Sequence, residues 1–185
     1  MTPSLDLAWL KLQAPVTLSP VSTEPRWLSA AETDAWVAMV GVLIKVPAAL
    51  DGELRRRVGL SHFEYLALSA LSEAADRTLP MSELAALSNA SLSRLSHVIA
   101  KLEQRRWVTR AACPGNGRVT NATLTDAGFD LVVSAAPVHV ELARTYVLDA
   151  LNPDQVGQLA AIAGQILATA DPDGDYPPRG THVRP

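Results

Sequence analysis

A single cysteine, Cys113, in 185 residues excludes an internal disulfide framework and any multi-cysteine metal site. Basic residues are not in excess either. The formal net charge is −3, so the chain is not a polycation that coats nucleic acid indiscriminately, and contact with a polyanion has to come from a local patch. The four histidines, at positions 62, 97, 139 and 182, are dispersed, and none shows metal-ligand spacing with a carboxylate or with Cys113. No glycine-rich phosphate loop, nucleophile elbow or paired-carboxylate arrangement is present. The expectation is a protein with no catalytic residues, no metal and no cofactor, hence not an enzyme. The N-terminus lacks a basic region followed by an apolar core. The most apolar stretch, Trp36 to Leu50, contains Lys45 and Pro47 and reads as too short to span a bilayer. A soluble, cytoplasmic chain without membrane contact is therefore expected. What is present in quantity is apolar side chain, 48% of residues, enough for a sizeable core.

Residues 1–25 carry four prolines and read as a flexible arm. From Ser29 the apolar spacing becomes helical through Trp36, Val37, Val40, Leu43, Ile44 and Leu54. Pro47 should kink this helix, and its apolar circumference implies burial on more than one side. Ser61 and Glu64 form a capping-box pattern that opens a helix to about Ala74. A turn at Asp76–Pro80 and a short helix from Ser82 to Leu87 follow. Ser91 starts the next helix, with Leu92, Leu95, Val98, Ile99 and Leu102 on one stripe and Ser93, Arg94, His97 and Lys101 facing away. Trp107–Ala112 and Val119–Leu124 read as two strands joined by Pro114-Gly115-Asn116-Gly117. Thr125 with Asp126 caps a long helix to about Leu151, bent at Pro137, and Asn152-Pro153-x-Gln155 starts another. The tail, residues 171–185, reads as disordered.

This element order predicts a mainly α fold with a small β-wing, a winged helix-turn-helix module at residues 61–125. The flanking segments, 26–60 and 126–170, are expected to be helices of a dimerisation layer, because a lone winged module has no use for them. Charge supports the assignment. Residues 89–120 hold Arg94, Lys101, Arg105, Arg106, Arg110 and Arg118 against Glu103 alone, a local excess of five positive charges on an acidic chain. Ser91 is an N-cap candidate. Ser93, Arg94 and His97 lie where such a helix approaches base edges, and arginine can contact guanine bidentately. Lys101 and Arg110, with Arg105, suit backbone positioning. Asn116 and Arg118 sit in the wing, and an arginine on a Gly-flanked hairpin can enter a narrow minor groove. The plainer account of each is a solvated surface side chain.

With those elements in place, MSELA (Met81–Ala85), KLEQRRWV (Lys101–Val108) and NGRVTNATLTDAG (Asn116–Gly128) together resemble the MarR family of bacterial transcriptional regulators. The opening RWLSAAETDAWVAMV resembles an actinobacterial-type branch. The resemblance covers about Arg26 to Ala170. It implies a homodimer on a pseudo-palindromic operator in double-stranded DNA, usually repressing, and released by a small aromatic or phenolic effector. Three positions depart from the family pattern. Asn116 replaces an acidic residue that braces the wing arginine, His97 replaces a stronger base, and Arg106 replaces the glycine that often ends the recognition helix, so the usual left-handed cap is expected to be absent.

The resemblance also places an effector pocket between the two layers, for which Trp36, Met39, Leu43, His62 and Tyr65 are candidates, ordinary core packing being the simpler account. Some relatives sense oxidants through a thiol. Cys113, with Arg110 nearby to activate it, is the corresponding candidate, although no second cysteine exists to resolve it. Two rivals to the repressor therefore stand: a winged-helix interaction module with little DNA affinity, and a thiol-based redox sensor.

Overall fold

The structure, a computed structural model, describes residues 25–113 and 116–172. Most of the N-terminal arm, Pro114-Gly115 of the wing turn, and the tail from residue 173 lie outside the described residues. Contacts divide the chain into two units, residues 1–39 and 40–185. In the first, Ser29 and Glu32 cap each other. The Ser29 amide donates to Glu32 Oε2 at 2.8 Å and the Glu32 amide donates to Ser29 Oγ at 3.3 Å. Helix α1 starts there and spans Ala30–Val58, 29 residues. It runs unbroken through Pro47, since one lost donor does not end a helix that has several turns on either side. Only Leu50 and Leu54 of α1 are buried within the single chain. The apolar helix is also longer than Trp36–Leu50. By length and composition alone, it and the stretch Asp126–Ala150 are apolar enough to cross a membrane.

The second unit holds the winged module. Helix α2, His62–Glu73, opens with the expected capping box at Ser61 and Glu64. Then comes a strand that the sequence reading missed. Thr78–Pro80, read as a turn, is β1, paired antiparallel with β3, Asn116–Leu124. Three residues are too few to show a period of two, and Pro80 with the charges of Asp76 and Arg77 looks like turn chemistry. Only the partner strand makes β1 a strand, and Pro80 ends it at the sheet edge, where its missing donor costs nothing.

Helix α3, Met81–Leu87, and helix α4, Leu92–Gln104, form the helix-turn-helix. Strand β2, Val108–Cys113, and β3 complete a sheet in the order β1-β3-β2. Both wing strands are displaced from the expected bounds. Cys113 pairs with Asn116 past a register shift at Ala112/Cys113, so Asn116, Gly117 and Arg118 belong to a strand and not to the turn. Helix α5, Asp126–Tyr146, is capped by Thr125, runs unbroken through Pro137, and ends before a short 3-10 turn at Leu148–Ala150. Helix α6, Pro153–Ala170, opens with the Asn152/Gln155 capping box.

The core lies among α2, α3, α4, α5 and the sheet, with Leu54 and Leu60 entering from the end of α1 and the following loop. Leu68, Leu71, Leu84, Leu95, Ile99, Leu102 and Val108 are its fully buried large side chains. One glycine is demanded by this packing. A Cβ on Gly128 would fall onto the Trp107 carbonyl oxygen and crowd Leu124 Cδ1 at 2.7 Å, so the first turn of α5 can approach the wing only without a side chain. Thr125 makes the same junction from the other side, donating its hydroxyl to the Arg106 carbonyl at 2.8 Å and accepting from the Gly128 amide at 3.1 Å.

Candidate nucleic-acid interface

Helix α4 owes its orientation to Leu95, Ile99 and Leu102, all fully buried. Anchoring that stripe turns Ser93, Arg94, His97 and Lys101 to solvent, as the spacing requires. Ser91 is the N-cap, accepting from the Arg94 amide at 3.3 Å, and its hydroxyl lies 3.3 Å from that of Ser93. The Arg94 guanidinium sits over the Phe63 ring, 4.6 Å from its centroid. An aromatic shelf of this kind orients a cation while leaving its edge able to donate. Leu92 departs from the expected stripe, because it is half exposed at 53%.

The C-terminal end of α4 overturns the expectation that the left-handed cap is missing. Arg106 adopts φ 63°, the left-handed conformation, without being glycine. Its amide donates to the Glu103 carbonyl at 2.9 Å, and the Trp107 amide donates to the Leu102 carbonyl at 3.0 Å. This pair of bonds is the Schellman arrangement. The left-handed cap is therefore present, held by these bonds and by Thr125 on the Arg106 carbonyl, at the steric cost of a Cβ in that region.

The wing arginines differ in their commitments. Arg110 donates three bonds to Glu103: its amide to Oε1 at 3.1 Å, Nε to Oε2 at 3.0 Å and Nη2 to Oε2 at 2.7 Å. These bonds hold the Glu103 carboxyl below its usual range, and they tie the end of α4 to β2. Arg110 is thus committed to the one acidic residue of the basic segment, and the guanidinium offered as an activator of Cys113 is engaged elsewhere. Cys113 itself is half-buried. Arg105 donates to the Gly59 carbonyl at 3.3 Å and lies over Trp107. Arg118 is exposed on β3, and the Asn116 Oδ1 accepts from its backbone amide at 3.3 Å. The residue standing in place of a bracing carboxylate thus braces the backbone of Arg118.

Between α3, α4 and the wing lies a cleft of about 260 Å3 lined by Met81, Ser82, Leu92, Ser96, Arg110, Arg118, Val119 and Thr120. It brings the two wing arginines beside the N-terminal half of α4. Of its lining, Met81, Ser82, Leu92, Ser96, Val119 and Thr120 were not among the sequence-derived site candidates. Only the wing's placement against the helices assembles them.

The residues proposed for an effector pocket do not behave alike. Trp36 and Leu43 are exposed, Met39 and His62 half-buried and Tyr65 buried. Tyr65 stacks on His139 of α5 at 4.5 Å between ring centroids, and His62 lies 5.9 Å from the same ring. His139 was not singled out from the sequence, since 77 positions separate it from His62. Burial depresses both histidines below their ordinary value. Asp51 opposes that shift at His62, and the neighbouring His62 adds to it at His139. Burial raises the Tyr65 hydroxyl. Among the described residues no group of histidine, cysteine and carboxylate side chains is arranged to hold a metal ion.

The MarR family model matches residues 58–119, which include α2, α3, α4, β2 and the start of β3. The solved structure of Sco3205, a MarR family transcriptional regulator from Streptomyces coelicolor in complex with DNA, is 37% identical. It superposes with a TM-score of 0.76 over 81% of this chain and 94% of its own. AbsC, another MarR family regulator from that organism, is 32% identical, with a TM-score of 0.69 over 77% of this chain and 98% of its own. The regulator PecS of Dickeya dadantii (strain 3937) is 27% identical over 132 residues, 69% of this chain and 79% of its own. On a shared winged helix and on identity sustained over most of its length, the chain belongs to the MarR family of transcriptional regulators.

Proposed function

We propose that the protein is a sequence-specific DNA-binding repressor that acts as a homodimer on a pseudo-palindromic operator and is released by a small aromatic or phenolic effector. The observation that carries this reading is the outward face of α4. Ser93, Arg94, His97 and Lys101 are exposed on a helix whose opposite face is locked into the core, with Arg118 exposed on the adjoining wing. The relative in complex with DNA supports it. In this reading α4 enters the major groove and Arg118 the minor groove beside it. Ser91 is then the cap that presents α4, and Asn116 positions the backbone of Arg118. Arg110 acts by bracing the wing through Glu103.

Dimerisation is supported by apolar side chains that the single chain leaves in solvent. Helix α6 has no buried residue, yet Val156, Leu159, Ile162 and Ile166 form an exposed stripe at helical spacing. Val133 and Val140 of α5 and Leu43 and Ile44 of α1 are exposed as well. Burying such surface against a second copy sets two α4 helices about 34–36 Å apart, one turn of DNA. An effector bound near the His62–Tyr65–His139 stack would release DNA by favouring another spacing.

Fluorescence anisotropy on the DNA upstream of the protein's own gene tests the reading. Wild type is expected to bind with a steep inverse dependence on salt, from counterion release, and to resist non-specific competitor. Arg118→Ala and Arg94→Ala should each cost on the order of 1–3 kcal/mol in binding. Absence of salt-dependent, competitor-resistant binding would instead support the interaction module, a reading favoured by the Glu103–Arg110 pair and the acidic net charge. A peroxide response of wild type that Cys113→Ser abolishes would support the redox sensor.

A further inference from the structure

The apolar stripe of α4 does not stop where the core stops. Leu95, Ile99 and Leu102 are fully buried. Leu92 lies on the same line, three residues before Leu95 and seven before Ile99, close to two helical turns. Yet it is 53% exposed. As the first residue of α4 after the Ser91 cap, it lines the cleft together with Met81, Ser96 and Arg118. A branched apolar group therefore stands at the leading end of the helix, directly before Ser93 and Arg94.

Leucine has neither donor nor acceptor, so it is blind to the hydrogen-bonding edges of the bases. The apolar group that the major groove displays is the thymine C5-methyl. Recognition helices bring their N-terminal residues to base edges. We propose that Leu92 is a specificity determinant that selects one thymine in each half-site by packing on its methyl group. The proposal rests on the DNA-binding reading above. The polar surroundings suit it: Ser91 and Ser93 flank Leu92 with hydroxyls, and Arg94 and Arg118 supply charge-assisted contacts that fix register. Leu92 adds what they lack, discrimination of thymine from cytosine at a position where no hydrogen bond is made.

The test uses the full-length protein and a duplex that wild type selects from a random-sequence pool at fixed salt. Each thymine is replaced in turn by deoxyuridine, which removes the methyl and keeps the base pair. Wild type should lose about fourfold in affinity at one position per half-site, corresponding to the ~0.8 kcal/mol of one buried methyl-sized group. Leu92→Ala should bind the parent duplex correspondingly more weakly and show no penalty at that position, with its thermal midpoint unchanged. A wild type that binds the selected duplex but shows no methyl-sensitive position overturns the inference and leaves DNA binding intact. So does a Leu92→Ala variant that keeps the full deoxyuridine profile. Failure of wild type to select any duplex overturns the DNA-binding reading itself.

Discussion

At the scale of single residues, the junction between α4 and the wing is where backbone geometry is most constrained. Arg106 holds a left-handed conformation that glycine would occupy without steric cost. Its side chain is exposed, so little contact is lost on truncation. Arg106→Gly should therefore raise stability by up to about 1 kcal/mol, the left-handed penalty offset in part by glycine's greater unfolded-state entropy. Denaturant unfolding would show this as a higher midpoint at unchanged slope; a lower midpoint would mean that the arginine makes a stabilising contact. Gly128 is the opposite case. Any Cβ there meets backbone that has little room to move, so Gly128→Ala should destabilise by about 1–3 kcal/mol. The same substitution at Gly117, which has open space around it, should be close to neutral. The left-handed cap at Arg106 was not legible from residue type, because glycine's preference is a statistical bias and the hydrogen bonds of Trp107 and Thr125 outweigh it.

At the scale of elements, the packing of α2 against α5 runs through Tyr65, His139 and His62. Both histidines are depressed by burial, so the unfolded chain takes up protons first as pH falls. Stability contributed by this stack is complete above the unfolded value near 6.5 and declines as pH drops through it toward the lower folded values. Asp51, facing His62, reduces the effect without reversing it. Thermal unfolding should show a midpoint that falls between pH 7.5 and pH 5.5, and His139→Gln should flatten that dependence; an unchanged slope in the variant would place the linkage elsewhere. Local signals made most of these elements readable. The capping boxes at Ser61/Glu64 and Asn152/Gln155, the Ser91 cap and the 3.6-residue stripes of α4 and α6 lie within a few residues of one another. Strand β1 and the true length of the wing do not, since each is defined by pairing with a distant partner.

At the scale of the whole molecule, the exposed apolar stripe on α6 sets a further expectation. On the proposed homodimer, a charge introduced into it, Ile162→Glu, should shift the dimer toward monomer in sedimentation velocity and weaken DNA binding, while changing Arg118-dependent contacts little. A dimer that persists unchanged would move the interface to α1 or α5. The amino-acid sequence by itself determined the order of the helices and the two wing strands, the outward residues of α4 and the position of the basic segment, because caps, periodicity and charge are local properties of the chain. Tertiary structure alone decided which charges are spent internally, as Arg110 is on Glu103, and where the core ends. It also decided that β1 is a strand, that His139 joins His62 and Tyr65, and that Leu92 stands outside a core its spacing had assigned it to. In each of these the deciding contact joins separate elements or depends on where one element ends against another, and such contacts follow from packing, beyond the reach of any local pattern.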